Sequence, residues 1–443
     1  MPTIRRVLVG LTLAAALSGV SVAGEWPQFQ GATRDGRSTE KIAQRSWSDD
    51  GPKELWSVSV GVGFGGAAIR DGEVFLLDRR DDTEDVLRCL DFANGEQKWE
   101  VAFDAPGRLS YNGSRQVPTV GPARIYAAGP LGHVYCVDRK TKKKVWTANL
   151  AKDFGSRTPG FGFSQSPVLY GDTVLLAPLT GSVGVVAFGV ADGKVRWKSK
   201  GVGGGGHSTL GMSRIGGVDQ ALMMTGSGLS GISAKDGALL WTHAFRNRNP
   251  IPFPTDCGDG RFFLTCGYNG GSALIQVTKQ GDSFTTNELF KMRLGSQIPP
   301  AFYHDGHLYA NFNENGNLRG RARPGLTCID MKGQVKWQTK MAPDIERGGL
   351  IMVGGLLVTL GGNDGVLRLV EPSSEGYKEL AAAPIFEGLR RRGNNIWAPM
   401  AFSDGKLVLR NQTVLKCLDL NAASSGAPQA PKKSAGKKKG KVF

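Results

Sequence analysis

Residues 136–146 read CVDRKTKKKVW, and residues 89–99 read CLDFANGEQKW. In both, an apolar run ends in Asp, a polar turn follows, and a Trp stands eight residues past the Asp. The phrase recurs as AFGVADGKVRW (187–197), GISAKDGALLW (231–241) and CIDMKGQVKW (328–337). Weaker copies start at Leu274 (LIQVTKQGDSF), Arg368 (RLVEPSSEGYKEL) and Cys417 (CLDLNAA). The Asp or its substitute falls at 91, 138, 189, 233, 277, 330, 371 and 419. The eight phrases are thus spaced 41 to 53 residues apart.

Each phrase is preceded by a strand–turn–strand pattern. Examples are AAIRDGEVFLL (67–77), SPVLYGDTVLLAP (166–178), CGDGRFFLTC (257–266), PAFYHDGHLYANF (300–312) and PMAFSDGKLVLR (399–410). Asp-Gly between alternating apolar runs is a strong hairpin signal. Each unit of about 45 residues therefore holds four strands, and such units repeated make a β-propeller. No segment sustains a 3.6-residue period, which argues against a helical solenoid. The eighth unit lacks its fourth strand, and Lys53–Val60 (KELWSVSV) supplies one with nothing before it. The expectation is an all-β, eight-bladed β-propeller of four-stranded antiparallel blades. Pairing of this N-terminal strand into the last blade closes the ring and removes the open edge.

The two ends read differently. Arg5 and Arg6, the apolar run Val7–Leu17 and the small residues Ser21-Val22-Ala23 form a signal-peptide pattern over 1–23. The apolar run is short for a membrane span, and the mature chain is expected to have none. Residues 424–443 (SSGAPQAPKKSAGKKKGKVF) carry six Lys and no acid, and are expected to be disordered. Between the ends, 24–52 is read as an N-terminal extension and 53–423 as the propeller. The net charge is +16, and half of that surplus sits in the tail lysines and the two leader arginines. Such a tail suits an anionic polymer by charge. It has no interleaved aromatics, so sequence-specific nucleic-acid binding is not expected. With 40% hydrophobic residues the body can bury a core, and with no G-x-y period the 63 Gly and 22 Pro do not indicate collagen.

Four of the six Cys (89, 136, 328 and 417) occupy one slot of the repeat, where Cys acts as a small core hydrophobe. They would lie in different blades, too far apart to bridge. Cys257 and Cys266 flank a turn without facing each other, Cys257 being expected opposite Phe262. No disulfide is expected. Trp56, Trp99, Trp146, Trp197, Trp241 and Trp337 share the fourth-strand register. Their simplest role is structural, wedged between neighbouring blades.

These phrases resemble the quinoprotein-type (PQQ-like) propeller repeat, with its D-x-x-T-G-x-x-x-W signature. They do so at Asp91…Gly95…Trp99, Asp192-Gly193…Trp197 and Asp236-Gly237…Trp241. The opening Trp26-Pro-Gln-Phe-Gln-Gly-Ala-Thr-Arg-Asp-Gly36 resembles the start of secreted, planctomycete-type bacterial proteins of this group. The resemblance covers roughly 25–420. It implies either of two activities: a quinone-dependent alcohol dehydrogenase, or a BamB-like scaffold of outer-membrane β-barrel assembly that binds no quinone. Fold likeness alone does not decide between them.

The dehydrogenase branch implies a vicinal disulfide, calcium held by carboxylate and amide oxygens, an Asp base and often a haem. The chain has no Cys-Cys pair and no C-x-x-C-H. No Glu, Asn and Asp match the calcium and base motifs at a blade start. The five His (133, 207, 243, 304 and 307) form no H-E-x-x-H. Asn311-x-Asn313-x-Asn315-Gly316 imitates a calcium loop but ends at Ala322 instead of Glu. Gly201–Gly206 lacks the Lys-Ser/Thr of a phosphate loop.

Residues just before the innermost strand of each blade should line one mouth of the channel. By register these are Arg115 and Gln116, Ser164 and Gln165, His207 and Ser208, Gln297, Arg347, and Asn395 with Trp397. Arg115, His207 and Arg347 together suit a small anion or the acidic side chain of a partner. A water-filled mouth with no ligand fits the same residues. Phe161, Phe163 and Trp397 are the loop aromatics that a carbohydrate binder could use. No catalytic residue, metal site or cofactor is expected. The leading reading is a monomeric, non-catalytic, exported (periplasmic or secreted) propeller that scaffolds an envelope protein or binds an anionic polymer. The alternative is an oxidoreductase with pyrroloquinoline quinone and calcium at the channel mouth.

Overall fold

In the computed structural model, residues 24–313, 323–340, 342–343, 345–386 and 395–422 are described. The expected signal peptide (1–23), the tail (424–443), and Asn315, Gly316 and Ala322 lie outside them. The turns of the inner hairpins set the blades. Asp71-Gly72, Asp305-Gly306 and Asp404-Gly405 have positive φ at both residues. This turn geometry matches the twist of the strands it joins, and Asp-Gly tolerates it best.

The first blade consists of Ala68–Arg70, Glu73–Arg80, Glu84–Asp91 and Gln97–Asp104, paired antiparallel in that order. Blades of the same plan begin at Thr119, Val168, Gly211, Thr255, Phe302, Leu350 and Ala401. Among the described residues there are eight such sheets. In the last, Lys53–Ser59 pairs antiparallel with Val414–Asp419, so this N-terminal strand completes the eighth blade as the repeat predicts. A buried salt bridge also spans this seam: Arg410 of the eighth blade lies 3.4 Å from Asp78 of the first, both fully buried. Its Nη2 also donates to the Gly61 and Gln412 carbonyls at 2.7 and 2.8 Å.

The recurring phrase has a physical reading. The slot residue of the third strand faces the Trp of the fourth: Cys89 and Trp99, Cys136 and Trp146, Ala187 and Trp197, Gly231 and Trp241, Cys328 and Trp337, Cys417 and Trp56. A small slot residue leaves room for the indole. The ladder then slips by one residue beside the Trp, a bulge repeated from blade to blade. At three of the six positions the indole N–H reaches the next blade. Trp56 Nε1 donates to the Phe92 carbonyl at 2.9 Å, Trp146 to Val190 at 3.2 Å and Trp337 to Ser373 at 2.7 Å. The phrase Asp caps its own turn: Asp91 Oδ1 accepts from the Ala93 N–H, and Asp138 Oδ1 from the Thr141 N–H, both at 2.8 Å. All six Cys are buried and unpaired. Asp256, rather than Cys257, is the residue opposite Phe262.

The extension 24–52 is not a free arm. The Trp26 N–H donates to the Ile69 carbonyl of the first blade, and the Ile69 N–H donates back. The Val120 N–H of the second blade donates to Pro27. Arg34 donates to the Leu169 carbonyl of the third blade at 2.5 Å, and Arg37 to the Tyr303 carbonyl of the sixth. Phe29 meets Phe253 edge-on beside the fifth blade's inner strand, ring centroids 5.9 Å apart. Arg37–Ser38 adds a parallel fifth strand to the seventh blade, on the inner edge of Leu350–Val353. Ser403 of the eighth blade donates to the Gly24 carbonyl. Residues 24–38 therefore cross the axis of the ring and tie to six of its eight inner strands and to the loop before a seventh.

Candidate functional site

In a blade whose strands run inner to outer, the chain returns to the axis just before each innermost strand. The eight returning loops converge on one mouth of the channel. Ser and Thr in these loops stitch blade to blade. Thr119 Oγ1 donates to Pro167 at 2.6 Å, Ser208 Oγ to Pro252 at 3.2 Å and Thr255 Oγ1 to Ala301 at 2.8 Å. The stitches hold the loops in fixed positions, and a cavity of about 320 Å³ lies between them. Its walls take residues from every blade: Phe64; Tyr111 and Arg115; Phe161 and Ser164; His207 and Thr209; Ile251 to Phe253; Gln297 to Pro300; Arg347 to Leu350; Trp397 and Pro399. Phe29 and Gln30 of the crossing segment line it too. The cavity is thus a cup floored by the N-terminal segment.

Six of the ten register-based residues line the cup: Arg115, Ser164, His207, Gln297, Arg347 and Trp397. Four do not. Ser208 is buried and donates to the Pro252 carbonyl at 3.2 Å. Gln116 is buried and donates to the Phe163 carbonyl at 2.6 Å. Gln165 is buried and accepts from the Ala177 N–H at 2.9 Å. Asn395 is half-buried and outside the lining. The register missed Phe64, Tyr111 and Tyr268. Tyr268 comes from the turn between the second and third strands of the fifth blade, where it has positive φ. The Gly267-Tyr-Asn-Gly270 turn signal locates it on a loop but does not point it at the axis.

The rings form an arc. Phe64 and Trp397 stack with centroids 5.5 Å apart, Tyr111 lies 6.0 Å from Trp397 and 5.8 Å from Phe161, and Phe161 lies 5.7 Å from His207. Two guanidinium groups sit on it. Arg347 lies over Trp397 at 5.4 Å and Arg115 over Phe64 at 5.8 Å. Arg347 is neutralised: its Nη1 is 2.7 Å from Glu346 Oε1, and its Nε donates to Gln297 Oε1. Gln297 Nε2 in turn donates to the Tyr268 hydroxyl at 2.8 Å. Arg115 donates to the Gly113 carbonyl at 2.6 Å and to the Tyr111 carbonyl. No carboxylate among the described residues pairs with it. Burial, and then the charge of Arg79, pull its pKa down to about 10, so it stays charged at neutral pH. Burial, and then the Arg115 charge, pull His207 down to about 4, so its ring is neutral there. Its Nδ1 lies 3.3 Å from Ser164 Oγ.

No Asp or Glu among the described residues lines the cup. Nor do the described residues hold a group of three His, Cys, Asp or Glu placed to bind a metal ion. A quinone with calcium on carboxylates does not fit these donors.

Fold and cup define the class: an all-β, eight-bladed propeller with a cup at one mouth. A profile of the family described as "Outer membrane protein assembly factor BamB" matches residues 82–252, so that stretch is similar to the BamB-like, PQQ-like repeat that its phrases resemble. Comparison with curated proteins finds none that matches. Among solved structures the chain is similar to the quinohemoprotein alcohol dehydrogenase of Pseudomonas putida HK5 (TM-score 0.59, 12% identity, 93% of this chain and 82% of that one). It is similar to a europium-containing methanol dehydrogenase (0.61, 13%, 88% and 90%). It is also similar to BamB from Moraxella catarrhalis (0.52, 14%, 83% and 99%). Identities this low show a shared fold and carry no activity across. No helix among the described residues is long and apolar enough to cross a membrane.

Proposed function

We propose that this protein is a non-catalytic binding propeller: a rigid disc that holds an aromatic cup at one mouth and presents its loops to a partner in the cell envelope. The observation that carries this reading is the composition of the cup. It offers rings, guanidinium groups and amides, which recognise. It offers no carboxylate among the described residues to act as base or to hold calcium. The match of residues 82–252 to an outer-membrane protein assembly factor supports a role in protein assembly, and an envelope protein is the favoured partner. An anionic polymer is the other partner that the basic composition suits. Export to the periplasm or beyond accords with that family and with the leader pattern.

Calorimetric titration of the mature chain with pyrroloquinoline quinone in calcium buffer tests the non-catalytic reading. The expected result is no saturable heat and no thermal stabilisation. One-to-one binding at micromolar affinity would overturn it in favour of the dehydrogenase.

A further inference from the structure

We infer that the cup binds a small organic acid, a flat apolar body bearing a single carboxylate that Arg115 holds. This deepens the binding reading above and rests on it.

Arg115 is half-buried against the arc of rings, and a guanidinium has five N–H donors. Two are used, on the Gly113 and Tyr111 carbonyls. The other three find no protein acceptor among the described residues. A charge half-buried among rings favours a counter-ion, and the strongest partner for a guanidinium is a carboxylate. Among the described residues the fold provides none, so a ligand can.

The number of charges follows from Arg347. Glu346 already neutralises it at 2.7 Å, and Gln297 occupies its Nε. Among the described residues of the wall, Arg115 is the guanidinium without a carboxylate partner. A phosphate dianion or a polycarboxylate would bring more charge than that one guanidinium matches. The body of the ligand follows from the rings. Phe64, Trp397, Tyr111 and Phe161 present faces and edges to the cup, and Phe29 closes it below. A volume of about 320 Å³ lies at the small end of ligand sites. A sugar would need many hydroxyl partners, whereas Gln297, the Tyr268 hydroxyl, Ser164 and His207 are already paired with one another or with Arg347.

The test compares acids with their neutral isosteres. Phenylacetate, cinnamate and indole-3-acetate are titrated calorimetrically into the mature chain, each beside its carboxamide. At least one acid is expected to bind one-to-one, about tenfold or more tighter than its amide, the size of a charged hydrogen bond. Arg115→Met should abolish that difference, and Arg115→Lys should retain part of it. The acid-to-amide ratio on the unsubstituted protein stands even if a variant fails to fold. Equal affinity of acid and amide, absence of binding by all three acids, or an Arg115→Met protein that still prefers the acid would overturn the inference. Binding of pyrroloquinoline quinone with calcium bears instead on the non-catalytic reading, so the two failures are distinguishable.

Discussion

Trp146 of the second blade lies against Gly193 of the third: a Cβ built on Gly193 would come within 2.6 Å of the indole Cδ2. Trp197 and Gly237 repeat the relationship one blade on at 2.4 Å, and Trp56 and Gly95 make it across the closing seam at 2.8 Å. The Gly and the Trp of the repeat are thus one contact, shared by neighbouring blades. These glycines also have φ of 67°, 78° and 75°.

Gly193→Ala should therefore cost about 3–4 kcal/mol, from the left-handed backbone and the overpacked indole together. Gly171→Ala is the control. It has φ of 56° with nothing within 4 Å of its Cβ, and should cost only about 1–2 kcal/mol. Denaturant unfolding of the two variants measures the difference, and equal losses would contradict the contact.

Trp26 anchors the crossing segment at 2% exposure. Trp26→Ala should lower stability by about 3–5 kcal/mol, as for other buried Trp truncations. An extension that merely rested on the disc would lose far less on thermal melting.

Arg79 and Asp85 form a salt bridge of 2.8 Å at 1% and 0% side-chain exposure. Tyr135 donates to the other Asp85 oxygen at 2.8 Å. Arg79→Met should cost about 3–5 kcal/mol by stranding the carboxylate, and Arg79→Met with Asp85→Leu should recover much of that. A double variant no more stable than the single would show that the guanidinium serves mainly by packing.

His207 makes stability depend on pH. Its folded pKa, about 4, lies below the ordinary histidine value of 6.5. Between those values the unfolded chain holds the extra proton, so this contribution is intact above pH 6.5 and is lost as pH falls toward 4. His207→Gln should flatten the pH dependence of unfolding across that window by up to about 1.4 kcal/mol per pH unit. Superimposable profiles would contradict the burial of a neutral ring.

The thiols should be inert in the folded state. Burial pushes Cys89, Cys257, Cys266 and Cys417 up to about 12, and Cys136 and Cys328 up to about 11. A disulfide reagent should count no fast-reacting thiol in native protein and six after unfolding.

Much of this fold was legible because the repeat is local. The turn Asp-Gly pairs, the alternating strands and the facing of a small slot residue by Trp all lie within one 45-residue unit. The Trp on the next blade's Gly is a nearest-neighbour contact. Eight copies of the unit, with an orphan strand at 53–60, leave one way to close the ring. The parallel strand Arg37–Ser38 was not legible: two residues cannot show alternation, and Met352 and Val353 are 315 residues away.

The cup shows where sequence reading stops. Register alone marks Arg115, His207, Gln297, Arg347 and Trp397 as facing the axis, because equivalent positions in equivalent blades must. It also marks Gln116 and Gln165, because register does not tell a side chain that faces the cavity from one turned back to a neighbouring peptide. Phe64, Tyr111, Tyr268 and the Phe29–Gln30 floor come from different kinds of loop and share no pattern. Glu346 neutralises Arg347 while Arg115 has no carboxylate partner among the described residues, a difference made by packing around each guanidinium. The repeated contacts are encoded afresh in every unit and can be read one unit at a time. The cup exists only where eight unlike loops meet, so its shape and its charge belong to the assembled ring.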